Sequence, residues 1–319
     1  MSLLIKKPGI LTTVQDLGRF GYRGIGINPG GAMDTTAARC ANLLVGNDEN
    51  AAGLEMHFPA PQIEFTCDTA FAIAGADFGS ELDGASIDSW RSYFARAGDL
   101  LRFTDKRSGS RAYLAVQGGL RIDKWLGSTS TNLTAGVGGC HGRRLAAGDE
   151  VETVVSTLHR SNASVAPSII PRYSPFPTVR IIRGAEYDLL DEAAKHLLVR
   201  HDFWLSSNSN RMGFRLTGEA LKLGEQHEFI SVAVDVGTIQ LLPDGQLIVL
   251  MADRQTAGGY PRLAHVISHD LPLMAQLGPG DKVAFHLVEL EEAEEIAAAF
   301  ERELSFFRVG CRFQQQLQG

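Results

Sequence analysis

The pattern of apolar and polar positions predicts a chain built mostly from short β-strands. Brief runs rich in Ile, Val and Leu are separated by Gly, Pro and Asp, and lengths of about five to eight residues are typical of strands rather than helices. The clearest of these runs occupy residues 70–75, 112–119, 178–184 and 246–253.

Three segments repeat their apolar residues at helical spacing instead. Asp34 is a suitable N-cap for a helix that Gly46 would end, and residues 187–201 carry a leucine-rich stripe. Residues 289–307 open with glutamates and have Arg302 near their end, as the helix dipole favours. The predicted fold class is therefore mostly β with a few helices.

The sequence also predicts where the chain divides. Residues 161–177, "SNASVAPSIIPRYSPFP", are rich in Pro and Ser and follow neither period, which is typical of a linker. We therefore predict an N-terminal domain at 1–160 and a C-terminal domain at 178–319, each near the usual domain size.

The two predicted domains share short sequences, which indicates an internal duplication. The pattern Arg-x-Gly-aromatic-Arg occurs at 19–23 and again at 211–215. A Gly-Asp pair followed by an apolar run occurs at 98–103 and again at 280–285.

Composition and charge narrow the function classes. The 319 residues carry a formal net charge of −7, with 44% apolar and 21% charged residues. These values describe a globular protein with a substantial core, and the negative charge argues against general nucleic-acid binding. No apolar run approaches the ~18 residues of a membrane span, and the N-terminal residues lack a secretory signal. We expect a cytoplasmic protein that does not bind membranes.

Metal binding has one candidate pair. His265 and His269 have the i, i+4 spacing that places two imidazoles on one face of a helix. The alternative is that they flank the apolar residues of this segment without binding metal. Because the four cysteines also lack zinc-ligand spacing, we favour the alternative and predict no metal site.

Common signatures of nucleotide and acyl-transfer sites do not occur in the sequence. There is no G-x-x-x-x-G-K-[ST] loop and no G-x-S-x-G elbow. The glycine-rich tract 136–142 misses G-x-G-x-x-G because His141 stands at the last glycine position. No Met-Lys pair resembles a biotin-attachment site, so covalent biotin on this chain is not expected.

Residues 253–261, "DRQTAGGYP", follow an apolar strand and are difficult to explain as scaffold. Arg254 can bind a carboxylate or bicarbonate with two parallel hydrogen bonds. Gln255 and Thr256 can pair with an amide or ureido group, and the two glycines at 258 and 259 let backbone N–H groups approach it. The alternative is a glycine-rich turn with solvated polar side chains. We favour a binding site.

A second polar segment, "SNSNRMGFR" at 207–215, has two interpretations. Its Ser and Asn side chains can bond their own backbone in a loop before a strand, or they can contribute to a site. The segment alone favours neither strongly.

Four segments resemble the biotin-dependent carboxyltransferase family, which is also called allophanate hydrolase subunit 2. They read "TTVQDLGRFGYRGIG", "GAMDTTAARCANLLVGN", "SSNSNRMGFRL" and "GQLIVLMADRQTAGGYPRLAHVI", and the match extends from Pro8 to Glu289. The family includes the C subunit of bacterial 5-oxoprolinase and is similar to the carboxyltransferase half of urea carboxylase.

The resemblance implies two tandem cyclophilin-like β-barrels, a companion B subunit of related fold and, in 5-oxoprolinase, an A subunit. It implies a subunit of an ATP-dependent complex that opens 5-oxoproline to glutamate, with little activity from this chain alone and ATP used by the complex. Two alternatives stay open. One is a carboxyltransferase that moves a carboxyl group from carboxybiotin to a urea-like substrate, and the other is a non-catalytic regulatory partner of the B subunit.

Both chemistries need donors directed at an oxygen that gains negative charge. With the family in view, the polar segments supply the predicted site. The catalytic candidates are Asp253, Arg254 and Tyr260. The substrate-binding candidates are Gln15, Asp16, Arg19, Asn208, Asn210, Arg211, Gln255, Thr256, Gly258 and Gly259.

Overall fold

The computed structural model describes residues 1–154, 162–224 and 229–316. Contacts divide the chain into two units, and the main division falls between Pro171 and Arg172. This point lies within the predicted linker, whose first residue, Ser161, is outside the described residues. Two segments group with the other half of the chain, which the sequence did not predict. Residues Phe20–Pro29 belong to the second unit, and the chain from Arg302 onward belongs to the first.

The first unit contains two antiparallel sheets. Its strands are β1 (Ser2–Lys7), β2 (Thr12–Gln15), β3 (Gly53–Met56), β4 (Gln62–Phe65), β5 (Thr69–Asp77), β6 (Ser80–Leu82), β7 (Ala85–Ser86), β8 (Arg91–Ala95), β9 (Leu100–Phe103), β10 (Ser108–Val116) and β11 (Glu150–Glu152). One sheet has the order β11-β1-β4-β9-β6-β7 and the other the order β2-β3-β10-β5-β8. The resemblance implied a barrel here, whereas the described strands form two separate sheets.

A helix packs on the second of these sheets. Helix α1 (Thr35–Leu44) begins after Asp34, whose carboxylate accepts a hydrogen bond of 2.9 Å from the Ala37 amide. This cap satisfies one of the amides that the first turn leaves unpaired. Gly46 follows the helix with a positive φ of 75°. The cap and the end of this helix are as the sequence predicts.

The second unit contains a closed seven-stranded barrel. Its strands are β12 (Thr178–Arg183), β13 (Asp202–Leu205), β14 (Gly213–Thr217), β16 (Thr238–Leu241), β17 (Leu247–Leu250), β19 (Arg262–Val266) and β20 (Lys282–Leu287), in the order β12-β19-β16-β17-β14-β13-β20. A separate pair is formed by β15 (Val232–Ala233) and β18 (Ala257–Gly258). The prediction of a mostly β fold is confirmed, and the predicted runs at 178–184 and 246–253 contain β12 and β17.

The remaining α-helices in the described part of the chain are α2 (Glu192–Arg200), α3 (Leu271–Ala275) and α4 (Leu290–Gln316). Asp191 caps α2 by accepting a hydrogen bond of 2.6 Å from the Ala194 amide. The sequence predicts α4 only as far as residue 307, although its helical pattern continues. No helix in the described ranges has the length and apolar character needed to cross a membrane.

The repeated Gly-Asp pairs form the same turn in both units. Gly98 and Gly280 have positive φ values of 94° and 89°, a conformation that glycine adopts without strain. Asp99 and Asp281 each accept a 2.7 Å hydrogen bond from the amide three residues earlier. Asp149 does the same for Ala146 at 2.7 Å. Because the same turn occurs a third time at Gly148 and Asp149, turn chemistry alone can account for the repeated Gly-Asp pairs.

The other repeat differs between its two copies. Arg19 and Arg211 are both buried, but the aromatic residue of the first copy, Tyr22, is only partly buried, whereas that of the second copy, Phe214, is 2% exposed in the barrel core. The aromatic residues of the two copies therefore lie in different environments, and the duplication stays a prediction.

Removing a core ring from the barrel is expected to destabilise the protein. Phe203 is 1% exposed, and its ring lies 5.7 Å from the ring of Phe285. Phe203→Ala should lower the free energy of unfolding by about 3–5 kcal/mol, through lost burial and a cavity, as measured by chemical denaturation. Trp204→Ala is the control, since Trp204 is 48% exposed. Similar losses for the two variants would contradict the assignment of Phe203 to the core.

Candidate functional site

The loop before β14 is built by the turn chemistry that its sequence suggests. Asn210 accepts a hydrogen bond of 2.8 Å from the Met212 amide through its side-chain oxygen. The Ser209 hydroxyl accepts one of 3.0 Å from the Arg215 amide. Asn208 donates its backbone N–H to the Ser206 hydroxyl at 3.2 Å. These bonds fix the loop and hold the asparagines at its surface.

The same loop also borders a cavity of about 210 Å³ in the second unit, which we call the barrel-side cavity. Four predicted site residues line it, so the loop combines turn chemistry with a position beside a cavity, and its role in a site stays a prediction. The lining residues are Asn208, Asn210, Met212, Gly213, Arg215, Gln240, Leu242, Ile248, Leu250, Gln255 and Tyr260.

Strand register explains how this cavity is placed. Arg215 pairs with Ile248, and Ile248 pairs with Gln240, so the three form a row across β14, β17 and β16. The adjacent row, Phe214, Val249 and Ile239, is at most 2% exposed. Because successive strand residues point to opposite faces, the cavity lies on the face opposite to the barrel core.

Gln240 was not predicted, although it is the most deeply buried polar residue of the cavity. It is 0% exposed, and its Nε2 donates to the Tyr260 carbonyl at 3.1 Å. A Cβ on Gly258 would lie 2.8 Å from Nε2 of both Gln240 and Gln255. Glycine at this position therefore allows two side-chain amides to approach the backbone closely. The signal in the sequence is a glutamine between the two apolar residues of β16, Ile239 and Leu241.

Arg215 was also missed, because Arg211 is the more obvious choice from the same pattern. Arg215 is exposed and is the one charged residue among those that line the barrel-side cavity. Its backbone is fixed on both sides, since Ser209 accepts from its N–H and its carbonyl accepts from the Ser206 amide at 2.9 Å.

Arg211 has a different environment from the one predicted. It is 7% exposed and donates to Asp253 through Nε at 2.8 Å and through Nη2 at 3.2 Å. The Asp253 amide donates to the Arg211 carbonyl at 2.8 Å, so the two residues are joined through side chains and backbone. This buried pair connects the asparagine loop to the start of the 253–261 segment.

Arg254 belongs to a second charged cluster in the same unit. It is 5% exposed and its Nη2 donates to the Asp235 carboxylate, which also receives Arg23 Nη1 at 3.0 Å. Burial lowers the pKa of Arg254, Asp235 opposes this effect, and the nearby Arg23 lowers the pKa further. Asn28 donates to the Asp253 carbonyl at 2.7 Å. Arg23 and Asn28 both come from Phe20–Pro29.

Thr256 and Gly259 lie in the same segment but do not line the barrel-side cavity. The Thr256 carbonyl accepts a hydrogen bond of 3.3 Å from the Val234 amide. A Cβ on Gly259 would lie 3.2 Å from the Ser231 hydroxyl, so this glycine packs closely against a neighbouring chain segment.

The predicted residues of the first half form a polar cluster within the first unit. Asp16 is 3% exposed and accepts hydrogen bonds from the hydroxyls of Ser128 at 2.7 Å and Ser130 at 2.5 Å and from the Thr129 amide at 2.6 Å. Burial raises the pKa of Asp16, but these hydrogen bonds and one from the Gly18 amide hold it below its usual value of 3.8.

Gln15 and Arg19 flank this carboxylate. Gln15 Nε2 donates to the Thr13 hydroxyl at 3.0 Å. Arg19 is 1% exposed, donates to the Ser130 carbonyl and lies 4.9 Å from the centre of the Trp125 ring. Buried groups with this many partners order the segment that follows β2.

The glycine-rich tract 136–142 packs against residues 128–131, which also donate hydrogen bonds to Asp16. A Cβ at Gly138 would clash with the Ser130 carbonyl, and one at Gly139 would clash with the Thr131 hydroxyl. Both glycines have positive φ. The tract lines a larger cavity of about 830 Å³ in the first unit, but its glycines are explained by close packing on residues 128–131.

The histidine pair does not form a metal site in the described residues. His265 is in β19, where its Nδ1 lies 3.2 Å from the Thr238 hydroxyl, and burial lowers its pKa. His269 packs its ring on Phe300 at 5.1 Å. Within the described ranges, no group of three His, Cys, Asp or Glu side chains is placed to bind a metal.

Comparison with known families identifies the chain. A family model described as "Carboxyltransferase domain, subdomain A and B" matches residues 25–287. The chain belongs to this carboxyltransferase domain family. The resemblance found in the sequence is therefore confirmed, and the family match includes the barrel-side cavity.

Individual relatives of this carboxyltransferase domain protein are similar over most of its length. It is 39% identical to the C subunit of 5-oxoprolinase from Haemophilus influenzae, over 89% of this chain and 90% of that one. It is 40% identical to the same 5-oxoprolinase component of Escherichia coli, over 91% and 93%. The crystal structure of K. lactis urea amidolyase superposes with a TM-score of 0.90 at 27% identity, over 96% of this chain and 20% of that one.

The Asp16 cluster should make stability depend on pH. Asp16→Asn is expected to lower the free energy of unfolding by about 1–3 kcal/mol near pH 6, because buried donors lose their acceptor. The folded pKa is below 3.8, so the wild-type advantage is fully present above that value and is lost as pH falls through the folded pKa. Urea titrations at pH 6 and pH 3 measure this difference. A difference that grows at pH 3 would contradict the assignment.

The buried Arg211–Asp253 pair gives a second stability prediction. Arg211→Met should destabilise the protein by about 3–5 kcal/mol, because Asp253 would stay buried without its cation. The double variant Arg211→Met, Asp253→Leu should lose less than the single variant, since no unpaired charge remains. Chemical denaturation of the two variants and the wild type tests this order, and a double variant less stable than Arg211→Met would refute it.

Proposed function

We propose that this protein is a subunit of an ATP-dependent 5-oxoprolinase complex that converts 5-oxoproline to glutamate. The observation that carries the proposal is the identity of 39–40% to two proteins named as the C subunit of 5-oxoprolinase, over about nine-tenths of both chains. A name of this kind implies partners, and we assign to this chain a companion B subunit of related fold and an A subunit.

The barrel-side cavity supports a small substrate. Ligand cavities for drug-sized molecules usually measure about 300–1,000 Å³, and this cavity of about 210 Å³ is smaller. Its lining combines side-chain amides, one arginine and aliphatic residues. A cavity of this size with one cation does not fit a nucleoside triphosphate. Since the sequence also lacks a G-x-x-x-x-G-K-[ST] loop, we assign ATP binding to the companion subunits.

Opening a cyclic amide needs a proton for the departing nitrogen and donors for the carbonyl oxygen. Tyr260 lines the cavity and is 43% exposed, so its hydroxyl is our candidate proton carrier. Asp253 and Arg254 are proposed to support this centre through their buried ion pairs. Gln255, Asn208 and Asn210 are proposed to contact the substrate, and Thr256, Gly258 and Gly259 to shape the segment that carries Gln255.

Carboxyl transfer is the second candidate function. The family model is described as a carboxyltransferase domain, and the K. lactis urea amidolyase structure shares the fold. In this case carboxybiotin would be a substrate supplied by another protein. The small volume of the barrel-side cavity favours the first candidate.

Reconstitution with the companion subunits tests the proposed function. The chain should release glutamate from 5-oxoproline only when mixed with its companion subunits and ATP, with little release by the chain alone. A mixture that is inactive on 5-oxoproline but carboxylates a urea-like substrate from carboxybiotin would favour carboxyl transfer. A chain that binds its companion while no mixture turns over either substrate would indicate a regulatory partner.

The role of Tyr260 is tested in the active mixture. Tyr260→Phe should lower kcat by about 10²–10⁴-fold, the usual contribution of general acid–base catalysis, while the protein stays folded by circular dichroism. Tyr187→Phe is the matched control, because Tyr187 lies in the same unit, does not line the cavity and keeps its ring contacts with Arg183 and Lys195. A kcat within twofold of wild type for Tyr260→Phe would remove this residue from the mechanism.

A further inference from the structure

The orientation of the Gln240 amide is fixed by its partner. Its nitrogen donates to the Tyr260 carbonyl at 3.1 Å, and a carbonyl oxygen can only accept, so the other amide atom must be the oxygen. That oxygen, Oε1, is buried and has no hydrogen-bond partner among the described residues. A buried acceptor without a partner is costly to folding. A ligand that enters the cavity with an N–H group would satisfy it.

A donor lies beside this acceptor. The side-chain nitrogen of Gln255 lies 2.8 Å from the position of a Cβ on Gly258, and Gln240 Oε1 lies 3.4 Å from the same position, so both groups are close to Gly258. A ligand that pairs with Gln240 Oε1 and Gln255 Nε2 must offer a donor and an acceptor next to each other. The amide of a small ring does so, because the ring holds its N–H and C=O on the same side.

The charge of the cavity identifies a further group of the ligand. Arg215 is its one charged lining residue and lies two strands from Gln240 in the same cross-strand row. Adjacent strands are about 4.8 Å apart, so about 10 Å separates the two backbones. The two side chains together with a small molecule between them can span this distance. Guanidinium groups bind carboxylates with two parallel hydrogen bonds.

We propose that the barrel-side cavity binds a small cyclic secondary amide that carries a carboxylate, with Gln240 Oε1 accepting the ring N–H and Arg215 binding the carboxylate. Leu242, Ile248 and Leu250 provide an apolar surface for the ring carbons. This inference deepens the proposed function and rests on it for the identity of the substrate, 5-oxoproline. Gln240 and Arg215 then determine specificity, whereas Arg211 positions the loop.

Three probes separate these contacts. L-5-oxoproline has both groups, 2-pyrrolidinone lacks the carboxylate, and the lactone 5-oxotetrahydrofuran-2-carboxylate replaces the ring N–H by oxygen. Ligand-observed NMR titrations use the full chain, alone and mixed with its companion subunits. We expect 5-oxoproline to bind at least about tenfold more tightly than either analogue, as the loss of one hydrogen bond or ion pair in a buried site predicts.

Two variants assign each preference to a residue. In Arg215→Met, the preference for 5-oxoproline over 2-pyrrolidinone should fall to about one, while the preference over the lactone persists. In Gln240→Met, the preference over the lactone should fall to about one, while that over 2-pyrrolidinone persists. Arg200→Met is the control, since Arg200 is an exposed arginine of the same unit and should leave both ratios unchanged. A purely structural role would weaken all three probes alike.

The outcomes separate this inference from the proposed function. Equal binding of all probes by the wild type, or unchanged ratios in both variants, overturns the inference even when the mixture hydrolyses 5-oxoproline. The same holds if neither the chain nor the mixture binds 5-oxoproline. Selective binding that shifts as expected in the variants, in a mixture without turnover, supports the inference while the proposed function fails.

Discussion

The buried pair of Arg211 and Asp253 is the interaction on which the candidate site depends. Each charge is removed from water, a cost that only close pairing and further hydrogen bonds can offset. The pair has two side-chain hydrogen bonds and one backbone hydrogen bond. It therefore fixes two segments at once: the asparagine loop before β14 and the segment that carries Gln255 and Tyr260. Without it, two sides of the cavity would be free to separate.

The barrel uses its strands for two purposes, one on each face. The row of Phe214, Val249 and Ile239 contributes to the core, whereas the next row contributes Arg215 and Gln240 to the cavity. Because the side-chain period of a strand is two, the register that places the core residues also places the polar ones. The apolar core thus determines the positions of these cavity-lining residues to within the precision of a β-ladder, which is greater than that of a loop.

The sequence predicts the fold well because its signals are local. Strands such as β12 and β17 follow from β-branched runs of the right length, and α1 follows from the cap at Asp34. The family resemblance and its polar segments locate part of the cavity. The partner of each charged group is not a local property, however. Asp253 is 42 residues from Arg211, and Ser130 is 114 residues from Asp16.

The distribution of roles between two arginines illustrates this limit. Arg211 and Arg215 occur in the same short pattern, and the residue types alone do not say which faces a cavity. The register with β17 and β16 does so, since it places Arg215 in the row of Gln240. Gln240 itself has only a weak signal, because a strand that alternates polar and apolar residues is also compatible with a solvated face. Both residues could be identified only from the strand pairing.

The exchange of segments between the halves has a consequence for synthesis on the ribosome. The second unit needs Phe20–Pro29, which supplies Arg23 to Asp235 and is made long before Asp235. The first unit needs the chain from Arg302 onward, where Leu304 is fully buried and Arg308 pairs with Glu49. An early segment must therefore wait for a late partner, and the early half must wait for the last helix. The second unit has all of its segments once Glu301 is made, whereas the first unit still lacks the segment from Arg302, so the order in which the units are completed is the reverse of the order in which most of each is synthesised.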